Sequence, residues 1–158
     1  MTSTVTYDLG ALHSIIGSEL GPGSWLRVDQ HRIDRFADAT DDHQWIHVDA
    51  DRARKGPFGA TVAHGYLTLS LVAALLEGLL QVDGVAMGIN YGVNRVRFPA
   101  PVISGSRVRA RATLNSLEPT GPGAVQATFE VTIEVEGGNK PACVATVLCR
   151  YFRLPGTP

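Results

Sequence analysis

Residues 124–135 alternate without a break: Val125, Ala127, Phe129, Val131, Ile133 and Val135 hold one set of positions, and Gln126, Thr128, Glu130, Thr132 and Glu134 the other. Successive side chains of a strand point to opposite faces, so this segment predicts a half-buried strand. Val85 to Phe98, Gly105 to Leu117 and Pro141 to Phe152 also read as strands, separated by turns rich in Pro, Gly and Asn. The first half of the chain keeps a helical period instead. Leu9, Leu12, Ile15 and Ile16 predict a short leading helix within Asp8 to Leu20, ended by Gly21-Pro22-Gly23. A brief strand is expected at Ser24 to Val28, after which Asp29 can cap a helix that turns Ile33, Phe36 and Ala37 inward. That helix should stop in Thr40-Asp41-Asp42-His43-Gln44. A further helical turn from Asp49 to about Lys55 should break at Gly56-Pro57-Phe58-Gly59.

His64-Gly65 opens the most apolar segment. Leu67, Leu71, Leu75 and Leu79 recur every fourth residue, while Leu69, Val72, Leu76 and Leu80 fill neighbouring faces. A helix apolar around most of its circumference must be wrapped by other structure. Helices first and strands afterwards, with no repeat and no linker, predict one α+β domain over residues 1–158. Its ordered core should run from about residue 8 to 152, as an antiparallel sheet around a long buried helix.

Composition narrows the function classes. A net charge of −1, from 14 basic and 15 acidic residues, with no dense basic cluster, argues against a nucleic-acid partner. Arg107, Arg109 and Arg111 alternate, so in a strand they share one face, either solvated or at the edge of a ligand. The unbroken apolar run Leu71 to Leu76 is far short of the roughly 18 residues that span a bilayer. No Lys or Arg precedes Arg27 and no early apolar run follows the start, so neither a secretory signal nor a membrane segment is expected. Cys143 and Cys149 lie on one expected strand, too far apart along it to bridge each other, and a reducing cytoplasm is the expected home.

Reactive side chains gather where the helical pattern fails. Asp41, Asp42, His43 and His47 lie close together, and His64 follows just before the apolar helix. On residue types alone the stretch fits a polar helix-terminal loop as well as a site. Trp45-Ile46 between the polar groups argues for a packed, partly dry loop, where a carboxylate and an imidazole form an acid/base pair. His43 and His47 have the spacing of a helical metal site, but His-Gln-Trp-Ile-His lacks the glutamate of the zinc-protease pattern, and no metal is expected. No Gly-x-Ser-x-Gly elbow is present, and the glycine pairs near residues 121 and 137 read as strand turns. Gly65 at the helix start can offer a backbone N–H to an oxyanion, or can serve close packing.

Together Asp42-x-x-x-x-His47, Asp49, Gly56-Pro57-Phe58-Gly59 and Ala63-His64-Gly65 resemble the MaoC-like, (R)-specific enoyl-CoA hydratase family of hotdog-fold proteins. Ile89-Asn90-Tyr91-Gly92-x-Asn94-x-Val96-Arg97-Phe98-Pro99-Ala100-Pro101-Val102 is similar to its nodulation-factor-N-like branch. The family motif reads Asp-x-Asn-Pro-x-His, and Gln44 and Trp45 stand at the Asn and Pro positions here. The resemblance implies a single hotdog domain in which Asp42 and His47 bind a water and move protons during reversible syn hydration of a trans-2-enoyl thioester. It implies that the Gly65 N–H holds the thioester oxygen, that Gln44 and Trp45 support the pair, and that no cofactor is needed. It also implies a homodimer with acyl-CoA or an acyl-carrier-protein thioester at the subunit boundary. The family's His-Gly histidine reads as structural, so His64 receives no catalytic role. Arg95, Arg97 and the arginines at 107, 109 and 111 are the candidates for the CoA phosphates, because guanidinium pairs with phosphate in a bidentate way. Two other readings stay open: a hotdog thioesterase, and a non-catalytic acyl-binding partner of a dehydratase heterodimer.

Overall fold

A computed structural model describes residues 4–155. Strand β1 (Val5–Asp8) leads into a helical segment, Leu9–Ile15, whose start is capped by the Asp8 carboxylate accepting the Gly10 N–H. This segment is a 3-10 helix, not the α-helix its spacing suggested. Buried Leu9, Leu12 and Ile15 recur every three residues, the period at which 3-10 side chains eclipse, and Ile16 turns out to solvent. Two short strands follow, β2 (Glu19–Leu20) and β3 (Leu26–Arg27). Helix α1 (Gln30–Thr40) starts where expected, with the Asp29 carboxylate accepting the Arg32 N–H and Ile33 and Ala37 buried. Single turns α2 (Trp45–Val48) and α3 (Ala50–Ala53) carry the loop region onward, the second capped by Asp49 accepting the Arg52 N–H.

The expected long helix is two pieces, α4 (Gly65–Ser70) and α5 (Val72–Glu77), joined at Leu71. At Leu71 ψ flattens to −15°, yet its N–H still bonds the Leu67 carbonyl and its own carbonyl accepts from Leu75, so the axis continues through the joint. Leu67, Leu71, Leu75 and Leu79 are buried as the period predicted. The helix is not wrapped all round, however. Tyr66, Ser70, Ala73, Ala74 and Glu77 leave an exposed stripe beside it. Leu80, counted on sequence with the helix, begins strand β4 (Leu80–Asp83), which pairs in parallel with β1. No local period could reveal that pairing, because its partner lies at the other end of the helical half.

The four strands of the second half are β5 (Val85–Arg97), β6 (Arg107–Gly121), β7 (Ala124–Val135) and β8 (Cys143–Arg153). They form an antiparallel sheet in the order β2-β6-β7-β8-β5, with β3 also on β6. The inward set of β7 faces α4 and α5 across one core, with Ala127, Phe129, Val131 and Ile133 buried. Packing of α5 on β6 and of α4 on β8 closes the sheet around the helix, the α+β hotdog arrangement. Cys143 and Cys149 are unpaired and buried on one face of β8, and burial pushes the Cys143 thiol up to about 11 and raises that of Cys149. Among the described residues no helix is long and apolar enough to cross a membrane.

Candidate active site

The end of α1 sets the first half of the site. Asp41, its C-cap, sits in the left-handed region at φ 56°, a conformation that Asp tolerates better than most residues, and it turns the chain sharply into Asp42. His43 swings out to solvent and pairs with Asp38 at 2.9 Å, so it leaves the cluster that the sequence suggested. Its partner raises its pKa without involving the site. His47, on α2, goes the opposite way into the interior.

The His47 ring is fixed by its Nδ1, which lies 2.6 Å from the Val62 carbonyl. A carbonyl can only accept, so Nδ1 carries the hydrogen and Nε2 keeps its lone pair. Burial holds the His47 pKa below the usual histidine range, with a further lowering from His64 opposed by the Val62 bond and by Asp42. The backbone behind it is pinned as well. The Gln30 amide donates to the His47 carbonyl and to Asp34, both at 2.7 Å, and accepts from the Thr61 hydroxyl at 2.5 Å. Gln30, Thr61 and Val62 were not singled out on sequence, since an amide at a helix start and a loop carbonyl carry no motif.

His64 caps α4 from below Asp42. Its Nε2 lies 2.9 Å from the Asp42 backbone carbonyl and 4.0 Å from the nearer carboxylate oxygen, and its ring stacks on His47 with centroids 3.7 Å apart. The Asp42 carboxylate itself is half-exposed. Gly65 is the first residue of α4, so its N–H precedes the intrahelical ladder. A Cβ there would come within 2.8 Å of the Phe98 ring, so close packing also demands this glycine. The packing reading of Gly65 therefore has a direct contact behind it, and its N–H stands at the helix start.

Gln44 and Trp45, expected to support the pair, stand at the start of the turn that carries His47. Gln44 is exposed, and its backbone carbonyl accepts the His47 N–H at 2.9 Å. Trp45 packs towards Gly56 and lies under the Arg52 guanidinium at 4.4 Å, bracing α2 against α3. The alternating arginines are spent elsewhere. Arg107 pairs with Glu136, Arg109 with Glu134 while stacking on Trp25, and Arg111 with Glu134 and Glu19. The register of β6 against β7 sets Arg109 opposite Glu134, and Glu19 reaches Arg111 from β2, so all three arginines have acidic partners within the sheet. Arg95 and Arg97 are exposed and have no ion-pair partner among the described residues.

Asp42, His47 and His64 each bring one potential metal-ligand atom within 4.8 Å of the others. One nitrogen of each ring is already committed to a carbonyl, which leaves one per ring and the carboxylate. A cavity of about 500 Å³ lies away from these residues, between α5, β4 and β5. A smaller one of about 210 Å³ runs along the open stripe of the helix past Leu69, Ser70, Ala73 and Val93, and shares Ala73 and Asn90 with the first.

Comparison with known proteins converges on one family. The family described as MaoC like domain matches residues 12–137. The chain is 53% identical over 140 residues to 3-hydroxyacyl-thioester dehydratase Z of Mycobacterium tuberculosis, covering 89% of this chain and 93% of that one. It is 50% identical over 140 residues to nodulation protein N of Rhizobium leguminosarum, covering 87% of each. Among solved structures, the (R)-hydratase from A. caviae involved in PHA biosynthesis superposes with a TM-score of 0.67 at 27% identity, over 86% of this chain and 96% of that one.

Proposed function

The chain belongs to the MaoC-like domain family, and on that premise we propose that it is an (R)-specific hydratase that adds water reversibly to trans-2-enoyl-CoA. It is a hydro-lyase, and the coarser reading, dehydratase chemistry on 3-hydroxyacyl thioesters, follows its curated relatives. The observation that carries the finer reading is the fixed tautomer of His47. With Nδ1–H given to Val62, the Nε2 lone pair is left for chemistry, in a ring that clusters with Asp42 and His64 and whose basicity burial lowers.

Hydration needs a base for the water, a proton for C2 and a donor for the thioester oxygen. In the proposed sequence the Asp42 carboxylate and His47 Nε2 hold one water between them. His47 takes its proton as the oxygen bonds to C3, and the proton returns from the pair to C2 on the same face, which makes the addition syn. The C1 oxygen gathers the charge meanwhile, and the Gly65 N–H would meet it. No step calls on a metal or cofactor. The apolar cavity along α4 starts a turn beyond Gly65, a suitable bed for the acyl chain. Arg95 and Arg97 remain the proposed contacts for the CoA phosphates.

A homodimer is part of the same proposal. Strand β5 ends the sheet and exposes Met87, Ile89, Tyr91 and Val93, and an edge strand with so much apolar surface is suited to pairing with a second copy. The test is an absorbance assay with crotonyl-CoA and a longer trans-2-enoyl-CoA, with chiral analysis of the product and sedimentation of the active species. Formation of the (R)-3-hydroxyacyl-CoA in the presence of chelator is expected. Release of free CoA with no hydration would mark a thioesterase and refute the proposal.

A further inference from the structure

His64 touches every part of the site without reaching solvent. Its Nε2 donates to the Asp42 carbonyl at 2.9 Å, its ring lies 3.7 Å from that of His47 at 25°, and it is the residue whose carbonyl and chain direction start α4 at Gly65. Phe36 of α1 closes over its other side, with centroids 5.0 Å apart. Only 2% of the residue is exposed, and its Nδ1 is fully buried with no partner among the described residues.

The unmet nitrogen separates two explanations. A buried polar atom left without a hydrogen bond costs about 1–3 kcal/mol. A residue kept only to fill the slot between Phe36 and His47 would do so without that penalty as an apolar ring. The imidazole is therefore retained for what its other nitrogen does, and that nitrogen holds Asp42. We propose that His64 is a positioning residue, which fixes the Asp42 turn and the His47 ring against each other so that carboxylate and Nε2 address the same water. The inference deepens the hydratase reading above and rests on it. It assigns His64 no contact with substrate.

The same contact reaches the base electrostatically. The groups that face His47 are Asp42 from the end of α1, His64 from the start of α4 and the Val62 carbonyl, with Gln30 and Asp34 of α1 behind its backbone. Of these, His64 lowers the His47 pKa, and its removal should let it rise.

The experiment uses the full chain and compares His64→Phe, which fills the slot and drops both nitrogens, with His64→Gln, whose amide can still reach the Asp42 carbonyl. Crotonyl-CoA hydration, thermal melting and an NMR titration of the His47 ring are measured for each. For the Phe variant, kcat should fall on the order of 10–100-fold with KM within about twofold, the loss expected when reacting groups drift by about an ångström. Its melting temperature should stay near that of the wild type, and the His47 midpoint should move up. The Gln variant should recover most of the lost kcat. A Phe variant with kcat within about twofold of wild type would overturn the inference. So would a Gln variant no better than the Phe variant, or, if the latter fails to fold, no better than His64→Met, which has similar length and no donor. An unchanged His47 midpoint would also overturn it, and this readout needs no substrate. A wild-type chain that does not hydrate crotonyl-CoA would instead refute the functional reading itself, so the two failures are distinguishable.

Discussion

Two substitutions of His47 take its two nitrogens apart. Asparagine places an amide N–H where Nδ1 stands, so His47→Asn can keep the bond to the Val62 carbonyl, now 2.6 Å long, while losing the Nε2 lone pair. Glutamine reaches the Nε2 position and abandons Val62. Both lose the stack on His64, so that contribution largely cancels between them. Removing the base should lower kcat by about 100–10,000-fold in each, with KM little changed. Their stabilities should differ. In the Gln variant the buried Val62 carbonyl loses its bond from Nδ1, at a cost of about 1–3 kcal/mol. For a chain of this size, at about 2–4 °C per kcal/mol, that is a melting temperature on the order of 5 °C below that of the Asn variant. Steady-state hydration of crotonyl-CoA and calorimetric melting measure the two effects separately. An Asn variant that keeps more than about a tenth of wild-type kcat would show that His47 is not the base. Equal melting of the two variants would refute the tautomer assignment from which the lone pair was derived.

Further expectations follow from the same geometry. Asp42→Asn should lower kcat by about 100–10,000-fold at unchanged melting temperature, since the side chain is half-exposed and its backbone holds the contact to His64. Gly65→Ala should lower kcat by displacing Phe98, whose ring lies 2.8 Å from the added carbon, and a second change of Phe98→Leu should restore part of the loss in a kcat and KM comparison. The acid limb of kcat/KM should lie below the ordinary histidine value, because His47 acts unprotonated and its pKa is lowered. Its stability contribution has the same sign: it is fully present above the unfolded value of 6.5 and is lost as pH falls towards the lowered folded value, which urea unfolding across this window would detect.

Much of the fold was legible because it is written locally. The two-residue period of Val125 to Val135 depends only on one face of the sheet being dry, and β7 runs over those residues. The Asp29 cap is likewise a property of one helix and is found, and the leucines at 67, 71, 75 and 79 are all buried although the helix is in two pieces. The pair Asp42 and His47, with Gly65 after a histidine, was visible as residue types at a spacing. What each atom does was not. Whether His47 donates or accepts at Nε2 depends on a carbonyl 15 residues away, at Val62, and whether His43 joins the site depends on the handedness of one turn at Asp41. The arginines of β6 illustrate the same limit: their alternation placed them on one face, but only the register against β7 set Glu134 among them. His64 read as structural on sequence because the His-Gly histidine of the family that the chain resembles reads so. Its bond to Asp42 and its stack on His47 join residues brought together only when α1, α2 and α4 meet. Local periodicity constrains which face of an element is buried, whereas hydrogen-bond partners between distant segments are decided by packing, and the chemistry of this site lies in those partners.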